Sequence, residues 1–256
     1  MAYEGEQRIE LYGDSIGAVE YVDHLGSDLS IVNSARVSHG KRTDSIDGAD
    51  DKLIKYLLEH QHTSPLEHCA ITFRFMVPMY ISKQHMRHRT WSYNEISRRY
   101  TDINIEFYEP NSFRTQHKSN RQASNADELI NPTVGFVKVP HGVSSRASNL
   151  LKLHHERSLH LYEALVSAGV CREQARGVLP QNLYTEYYGT ANLNNIFKFV
   201  ALRLPSDAQW EIQQVARGVL QITRDCYPIA TKHWITLMAQ KNKTWIKTFQ
   251  KLEMME

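Results

Sequence analysis

Hydrophobic and polar positions follow two periods along this chain. In the run Ile71-Thr-Phe-Arg-Phe-Met-Val77, the residues Ile71, Phe73, Phe75 and Val77 fall on one side, which predicts a strand ended by Pro78. Arg8 to Tyr12 predicts a short first strand. Helical spacing governs 50–60, where Leu53, Ile54, Leu57 and Leu58 share a face and Asp50 and Asp51 suit the first turn. Met79 to Arg87 starts another helix directly after a proline. Leu151, His155, Ser158, Tyr162 and Leu165 mark a helical seam that Gly169 closes, and a short helix after Cys171 stops at Pro180. Asn192 caps a helix with Ile196, Phe199 and Val200 inward. Ser206-x-x-Gln209 predicts a capping box for the next helix, whose Ile212, Val215, Ala216, Val219 and Leu220 repeat until Tyr227-Pro228 ends it. Over 109–148 the periodicity is lost and Asn, Ser, Gln, Pro and Gly accumulate, which predicts a long loop or insertion with little regular structure. Strands near both ends of a helix-rich chain give an α+β class.

Composition narrows the function. At 256 residues with 41% hydrophobic and 23% charged positions, the chain has material for a sizeable core and is expected to be one folded, soluble domain, 1–256. A net charge of +2 argues against a dedicated nucleic-acid or polybasic membrane-surface protein. The longest apolar stretch, Cys69 to Ile81, is broken by Arg74 and Pro78, so no segment of bilayer-spanning length exists. Residues Met1 to Glu6 lack the basic flank and apolar run of a secretion signal, which leaves the cytoplasm as the expected location. Cys69, Cys171 and Cys226 are far apart, as suits reduced thiols, and neither they nor His60, His62, His68, His85 and His88 have familiar metal-ligand spacing. No metal is expected.

The chemistry concentrates in Lys83-Gln-His-Met-Arg87-His-Arg-Thr-Trp91-Ser-Tyr-Asn-Glu95-Ile-Ser97-Arg-Arg99-Tyr100. Four arginines, a lysine and two histidines stand here against one carboxylate, Glu95. Like charges this dense repel unless an anion or water holds them, and guanidinium forks fit phosphate oxygens. A phosphorylated ligand is the expected partner, with Trp91, Tyr93 and Tyr100 offering faces for a base or flavin-like ring. A solvated basic face is the plain alternative.

Within that segment, Arg87-His88-Arg89 followed after seven residues by Ser97 resembles the signature of flavin-dependent thymidylate synthases, the ThyX family. A second block runs in the family's order: Arg176-Gly-Val-Leu-Pro180-Gln-Asn-Leu-Tyr184-Thr-Glu, Thr190-Ala-Asn192, Leu202-Arg203, and Ala208-Gln-Trp210-Glu211. With His62-Thr-Ser64-Pro upstream, the resemblance covers roughly 30–225, the Asn/Ser-rich stretch standing as an insertion.

The resemblance implies a small, mainly antiparallel sheet packed with long helices. It implies reductive methylation of dUMP to dTMP, with 5,10-methylenetetrahydrofolate as carbon donor, NADPH as reductant and FAD as hydride mediator, releasing tetrahydrofolate. No cysteine acts as nucleophile: none of the three stands in a Pro-Cys-His setting, and Cys226 suits a buried small residue. Arg203 matches the arginine that draws the pyrimidine toward its N3-ionised form. Gln84, Arg87, Glu95, Ser97, Arg99 and Arg176 match dUMP contacts; Ser64, Arg87, His88, Arg89, Glu95 and Asn192 match flavin contacts. His62 is a weaker candidate near the flavin. The family assembles these sites from different subunits of a homotetramer, so one chain carries pieces of several. Neither nucleic acid nor membrane is implied as a partner.

Two positions depart from the family pattern. Asn194 stands where arginine is usual in Asn-x-Arg, and Lys198 where Asn or His is common. The arginine's loss removes a cation beside the FAD, which Lys198, one turn on, is placed to restore in part. The reading from another class is a nucleic-acid-binding module using 83–100 as a basic aromatic patch. It requires salt-sensitive oligonucleotide binding.

Overall fold

The computed structural model describes residues 7–121, 123–135 and 144–254. They group into two compact units. The first comprises Met1–Met76, Gln84–Asn94 and Tyr187–Glu256; the second comprises Val77–Lys83 and Glu95–Glu186.

The first unit is built on a sheet of order β1-β2-β3-β9-β4, from β1 (Arg8–Glu10), β2 (Ala18–Leu25), β3 (Ala70–Pro78), β4 (Ser92–Glu95) and β9 (Tyr184–Asn192). β2 pairs antiparallel with both β1 and β3, and a bulge between Tyr21 and Asp23 shifts its register against β3. The alternation in β3 is as expected: Ile71, Phe73, Phe75 and Val77 are fully buried. β2 and β9 carry no strong apolar alternation and are additions to the sequence reading.

Helices α1 (Asp28–Arg36), α2 (Gly48–Glu59), α6 (Leu193–Arg203), α7 (Trp210–Cys226), α8 (Pro228–Lys241) and α9 (Lys243–Lys251) complete this unit. α2 is capped by Asp47, which accepts from Ala49 and Asp50 N–H. α7 buries the expected Ile212, Val215, Ala216, Val219 and Leu220. It lies close to the sheet at Gly218, where a Cβ would come within 3.4 Å of Val19 and 3.5 Å of Ile9 and Leu11. Its start differs from expectation. Ser206 sits in a turn, Gln209 holds the N-cap position without a side-chain cap, and no capping box forms. Pro205 fixes that turn instead, its carbonyl accepting from Ala208 N–H at 3.0 Å. Tyr227 ends α7 and ties the corner to the sheet, its hydroxyl donating to the Leu25 and Ala70 carbonyls.

The expected strand near the C-terminus is corrected: after β9 the described chain is helical to Lys251. α8 begins at Pro228, and the buried Asp28 carboxylate accepts from Ile229 and Ala230 N–H, both at 2.9 Å. Trp234 stacks on Phe197 at 4.8 Å and 5°, and Trp245 and Phe249 of α9 close over it at 6.1 and 6.2 Å.

The second unit holds α3 (Met79–His85) up to Lys83, α4 (Ala147–Ser167) and α5 (Arg172–Ala175). His155, Ser158 and Tyr162 form the buried seam of α4 as expected, with Leu150 in the place given to Leu151. Gly169 adopts a φ of 91° and closes the helix through Gly169 N–H to the Val166 carbonyl. The expected scarcity of regular structure in 109–148 is corrected. β5 (Phe113–Gln116) pairs antiparallel with β6 (Ser124–Ile130), and β7 (Thr133–Gly135) with β8 (Ser144–Arg146). Polar side chains stitch the first pair: Thr115 and Asn125 both donate to Glu128, and Arg114 donates to Ser124. The part of that segment at 136–143 lies outside the described residues. No described helix is long and apolar enough to cross a membrane.

Candidate active site

In the first unit the turn after α3 and the last turn of α6 bring three expected residues together. Arg203 Nε donates to His88 Nε2 at 3.1 Å, and Arg203 Nη2 donates to the Gln84 carbonyl at 3.4 Å. A guanidinium only donates, so His88 Nε2 is an acceptor and the ring is the neutral Nδ1–H form. Burial, and then the neighbouring Arg203 charge, lowers the His88 pKa to about 4. Burial also lowers that of Arg203. Among the described residues no carboxylate pairs with Arg203, so the guanidinium rests on uncharged acceptors and keeps its charge for another group.

A buried aromatic box supports this pair from below. His85 is fully buried between Phe75, Trp91 and Phe199 at 4.6–4.7 Å, with Nδ1 against the Tyr187 hydroxyl at 2.8 Å. Burial drives its pKa well below 6.5. The stacking expectation is corrected for two residues. Trp91 is 5% exposed and belongs to this box, and Tyr93 uses its hydroxyl on the His85 and His88 carbonyls; Tyr100 alone of the three is open to solvent.

Both histidines hold folded pKa values below the ordinary 6.5, so the unfolded chain binds protons first as acid is added. Stability is complete above about pH 6.5 and falls as the pH drops toward 4. Thermal melts from pH 7.5 to 4 are expected to decline over that window, more gently in His88→Gln. A flat profile would contradict the burial of the two rings.

The expected flavin contacts of this unit lie on three elements. Ser64 opens a 3-10 turn, Ser64–His68, and Arg87 and Arg89 are exposed in the turn after α3. Neither arginine has an ion-pair or hydrogen-bond partner among the described residues. Asn192 caps α6: its Oδ1 accepts from Asn195 N–H at 2.9 Å, which leaves its NH2 group as the free end. Asn194 is 6% exposed and donates to Glu67 Oε1 at 3.0 Å, while Lys198 is exposed on the same helix. His62 is exposed beside Tyr56 and His60.

The second unit holds the other expected nucleotide contacts. Ser97 anchors a tight turn, its carbonyl accepting from Tyr100 and Thr101 N–H and its Oγ from Arg99 N–H at 3.3 Å. Arg99 points outward, 5.1 Å over the Tyr100 ring and bonded to its hydroxyl. Arg176 is exposed and, among the described residues, bonds only the Glu173 carbonyl, at 3.3 Å. Glu95 accepts from the Thr185 hydroxyl at 2.7 Å, with Lys83 Nζ at 4.0 Å. Arg98 departs from its neighbours: it is 8% exposed and braces the following loop through the Ile103, Asn104 and Tyr184 carbonyls. Of these adjacent arginines Arg98 is spent on loop carbonyls, whereas Arg99 has no carboxylate partner among the described residues. Among the described residues no three His, Cys, Asp or Glu side chains are grouped as metal ligands.

Sequence reasoning gave Gln209 only a capping role and Glu211 none; in the structure the Gln209 side chain bonds Gln84 and the Glu211 side chain bonds Gln209, and their signal as site residues is their place in the Ala208–Glu211 block.

A family model described as thymidylate synthase complementing protein matches residues 20–229. A flavin-dependent thymidylate synthase of Thermus thermophilus is 43% identical over 214 residues, 84% of this chain and 74% of that protein. One from Thermosipho africanus is 37% identical over 213 residues, 83% of this chain and 88% of that protein. Among solved structures, the UMP/dUMP methylase PolB from Streptomyces cacaoi, bound with 5-Br dUMP, superposes with a TM-score of 0.72 at 30% identity, over 89% of this chain and 97% of that one.

Proposed function

Because this chain belongs to the flavin-dependent thymidylate synthase family, we propose that it converts dUMP to dTMP with 5,10-methylenetetrahydrofolate, NADPH and FAD, through the residues of the site just described. The observation that carries the assignment of roles is Arg203: a part-buried cation held by a neutral imidazole and a carbonyl. Uracil C5 is a feeble nucleophile, and drawing the ring toward an N3-ionised, enolate-like form strengthens it. A fixed, always-charged guanidinium stabilises that negative charge without taking part in proton transfer. Neither Cys69 nor Cys226 is poised for attack on C6. Cys69 is buried, and burial raises the thiols of Cys69 and Cys226 to about 12 and about 11. Arg99 and Arg176 supply charge for the nucleotide phosphate, Ser97 a hydroxyl, and Glu95 and Gln84 further hydrogen bonds.

The residues fit FAD. Arg87 and Arg89 are unpaired cations suited to a diphosphate, and Ser64 and the free NH2 of Asn192 suit polar atoms of the cofactor. FAD, when bound, relays the hydride from NADPH. His88 Nε2 steadies Arg203, and its Nδ1–H remains to donate. Lys198 stands in for the cation absent at Asn194, whose amide is committed to Glu67. Lys198→Ala is therefore expected to weaken FAD binding about three- to tenfold in a fluorescence titration, the share of one exposed charge-assisted contact. Unchanged affinity would reject this compensation. In solution the chain forms a homotetramer in which different subunits contribute to each site.

The test is direct. Purified protein is expected to be yellow and to form dTMP from dUMP when methylenetetrahydrofolate, NADPH and FAD are supplied together. dTMP formation that persists after complete removal of flavin would overturn the assignment. The nucleic-acid reading loses support from Trp91 and Tyr93, which face inward and leave no ladder of stacking rings along 83–100.

A further inference from the structure

The Ala208–Glu211 block has no part in the account above, yet two of its side chains form a relay to Gln84. Gln84 Nε2 donates to Gln209 Oε1 at 2.5 Å, and Gln209 Nε2 donates to Glu211 Oε2 at 3.0 Å. Glu211 is 4% exposed in the first turn of α7, with Gln209 just ahead of it. The turn carrying Gln209 is itself fastened, Gln213 Nε2 donating to the Ala208 carbonyl at 2.6 Å.

The relay has a direction. A carboxylate accepts and does not donate, so the amide facing Glu211 presents its NH2 group. Gln209 then turns its oxygen to Gln84, and Gln84 turns its own NH2 to Gln209. What remains is Gln84 Oε1, which has no partner among the described residues and belongs to the residue whose backbone carbonyl Arg203 engages.

We infer that Gln209 and Glu211 are positioning residues that fix the orientation of the Gln84 amide, so that Gln84 meets the nucleotide as a hydrogen-bond acceptor. This rests on the assignment of Gln84 to dUMP. The nucleotide's matching group is then an N–H or O–H. The uridylate offers two, the ring N3–H and the sugar 3′-hydroxyl, whereas O2, O4 and the phosphate oxygens are acceptors and find no donor here. Neither positioning residue needs to touch the substrate; each acts through Gln84.

A cycle of dUMP dissociation constants, measured by calorimetry on the FAD-loaded enzyme, tests this with Gln84→Ala, Gln209→Met and the double variant. Gln209→Met is expected to weaken dUMP binding about five- to tenfold when Gln84 is present and less than about twofold when Gln84 is already alanine. Glu211→Gln, isosteric and able to present either end of its amide, is expected to weaken it about threefold by releasing the orientation. It serves also where Gln209→Met fails to fold. Equal losses from Gln209→Met in both backgrounds would make Gln209 a merely structural part of the turn and overturn the inference. So would undiminished dUMP binding in both Gln209→Met and Glu211→Gln. Undiminished binding in Gln84→Ala alone would instead remove Gln84 from the substrate site, and the relay's purpose with it. Affinities for 3-methyl-dUMP and the 3′-deoxy nucleotide identify the donor: the analogue lacking it is expected to be insensitive to Gln84→Ala, and full sensitivity of both analogues would contradict an acceptor role.

Discussion

Arg203→Ala is expected to lower dTMP formation by at least about a thousandfold while leaving the fold in place. The reaction asks for a positive charge where the pyrimidine becomes negative, and among the described residues the other cations named for this chemistry are exposed arginines and a lysine. Arg203 differs in being part-buried and held at two points, by His88 and by the Gln84 carbonyl. Its removal breaks only those bonds, so melting should shift by no more than a few degrees. Arg203→Lys restores charge but not the planar fork, and little rescue is expected. An independent readout comes from His88, whose pKa of about 4 owes its second cause to Arg203. In Arg203→Ala an NMR titration should find it higher, though still depressed by burial. Near-normal turnover in this variant would remove Arg203 from catalysis.

The second large effect is on stability. Trp234→Ala is expected to cost about 3–5 kcal/mol in urea unfolding, the usual range for truncating a buried tryptophan. Trp234 is 6% exposed and joins α8 to Phe197 of α6 on one side and to Trp245 and Phe249 of α9 on the other. Losing it opens a cavity that three rigid rings cannot fill. α9 should then become the first site of proteolysis. A loss below about 1 kcal/mol would mean that the cluster does not hold the C-terminal helices.

That cluster also marks the limit of what the sequence makes legible. β3 and α7 are plain because branched and aromatic residues recur at strict strand and helix periods. α9 is not, because two large residues, Trp245 and Phe249, carry its whole buried face within nine residues. β9 buries tyrosines, a threonine and an alanine, residue types equally common outside strands, and Gly189 is required where a Cβ would come within 2.8 Å of Phe75. β2 loses its alternation at the bulge after Tyr21. The hairpins within 109–148 are held by Asn, Thr and Glu side chains and therefore look like loop in a hydrophobicity pattern.

The site divides along similar lines. The resemblance to the family signature singles out Arg87, His88, Arg89 and Ser97. Spacing alone could not distinguish Arg98, spent on loop carbonyls, from Arg99 beside it, because both are arginines in a polar run. Nor could it give Glu211 a purpose: a buried carboxylate in an amphipathic helix reads as an irregularity until the two amides leading from it are seen.

α6 has one more consequence. It opens on Asn192 and ends on Arg203, eleven residues of regular helix apart, about 16 Å at the standard rise. The proposed flavin contact and the proposed catalytic arginine are thereby mounted on a single rigid ruler. An inhibitor reaching from one to the other would have its tether length dictated in advance, and a one-residue insertion in this rod would rotate Arg203 by about 100° and spoil the fit at that end while leaving the other intact.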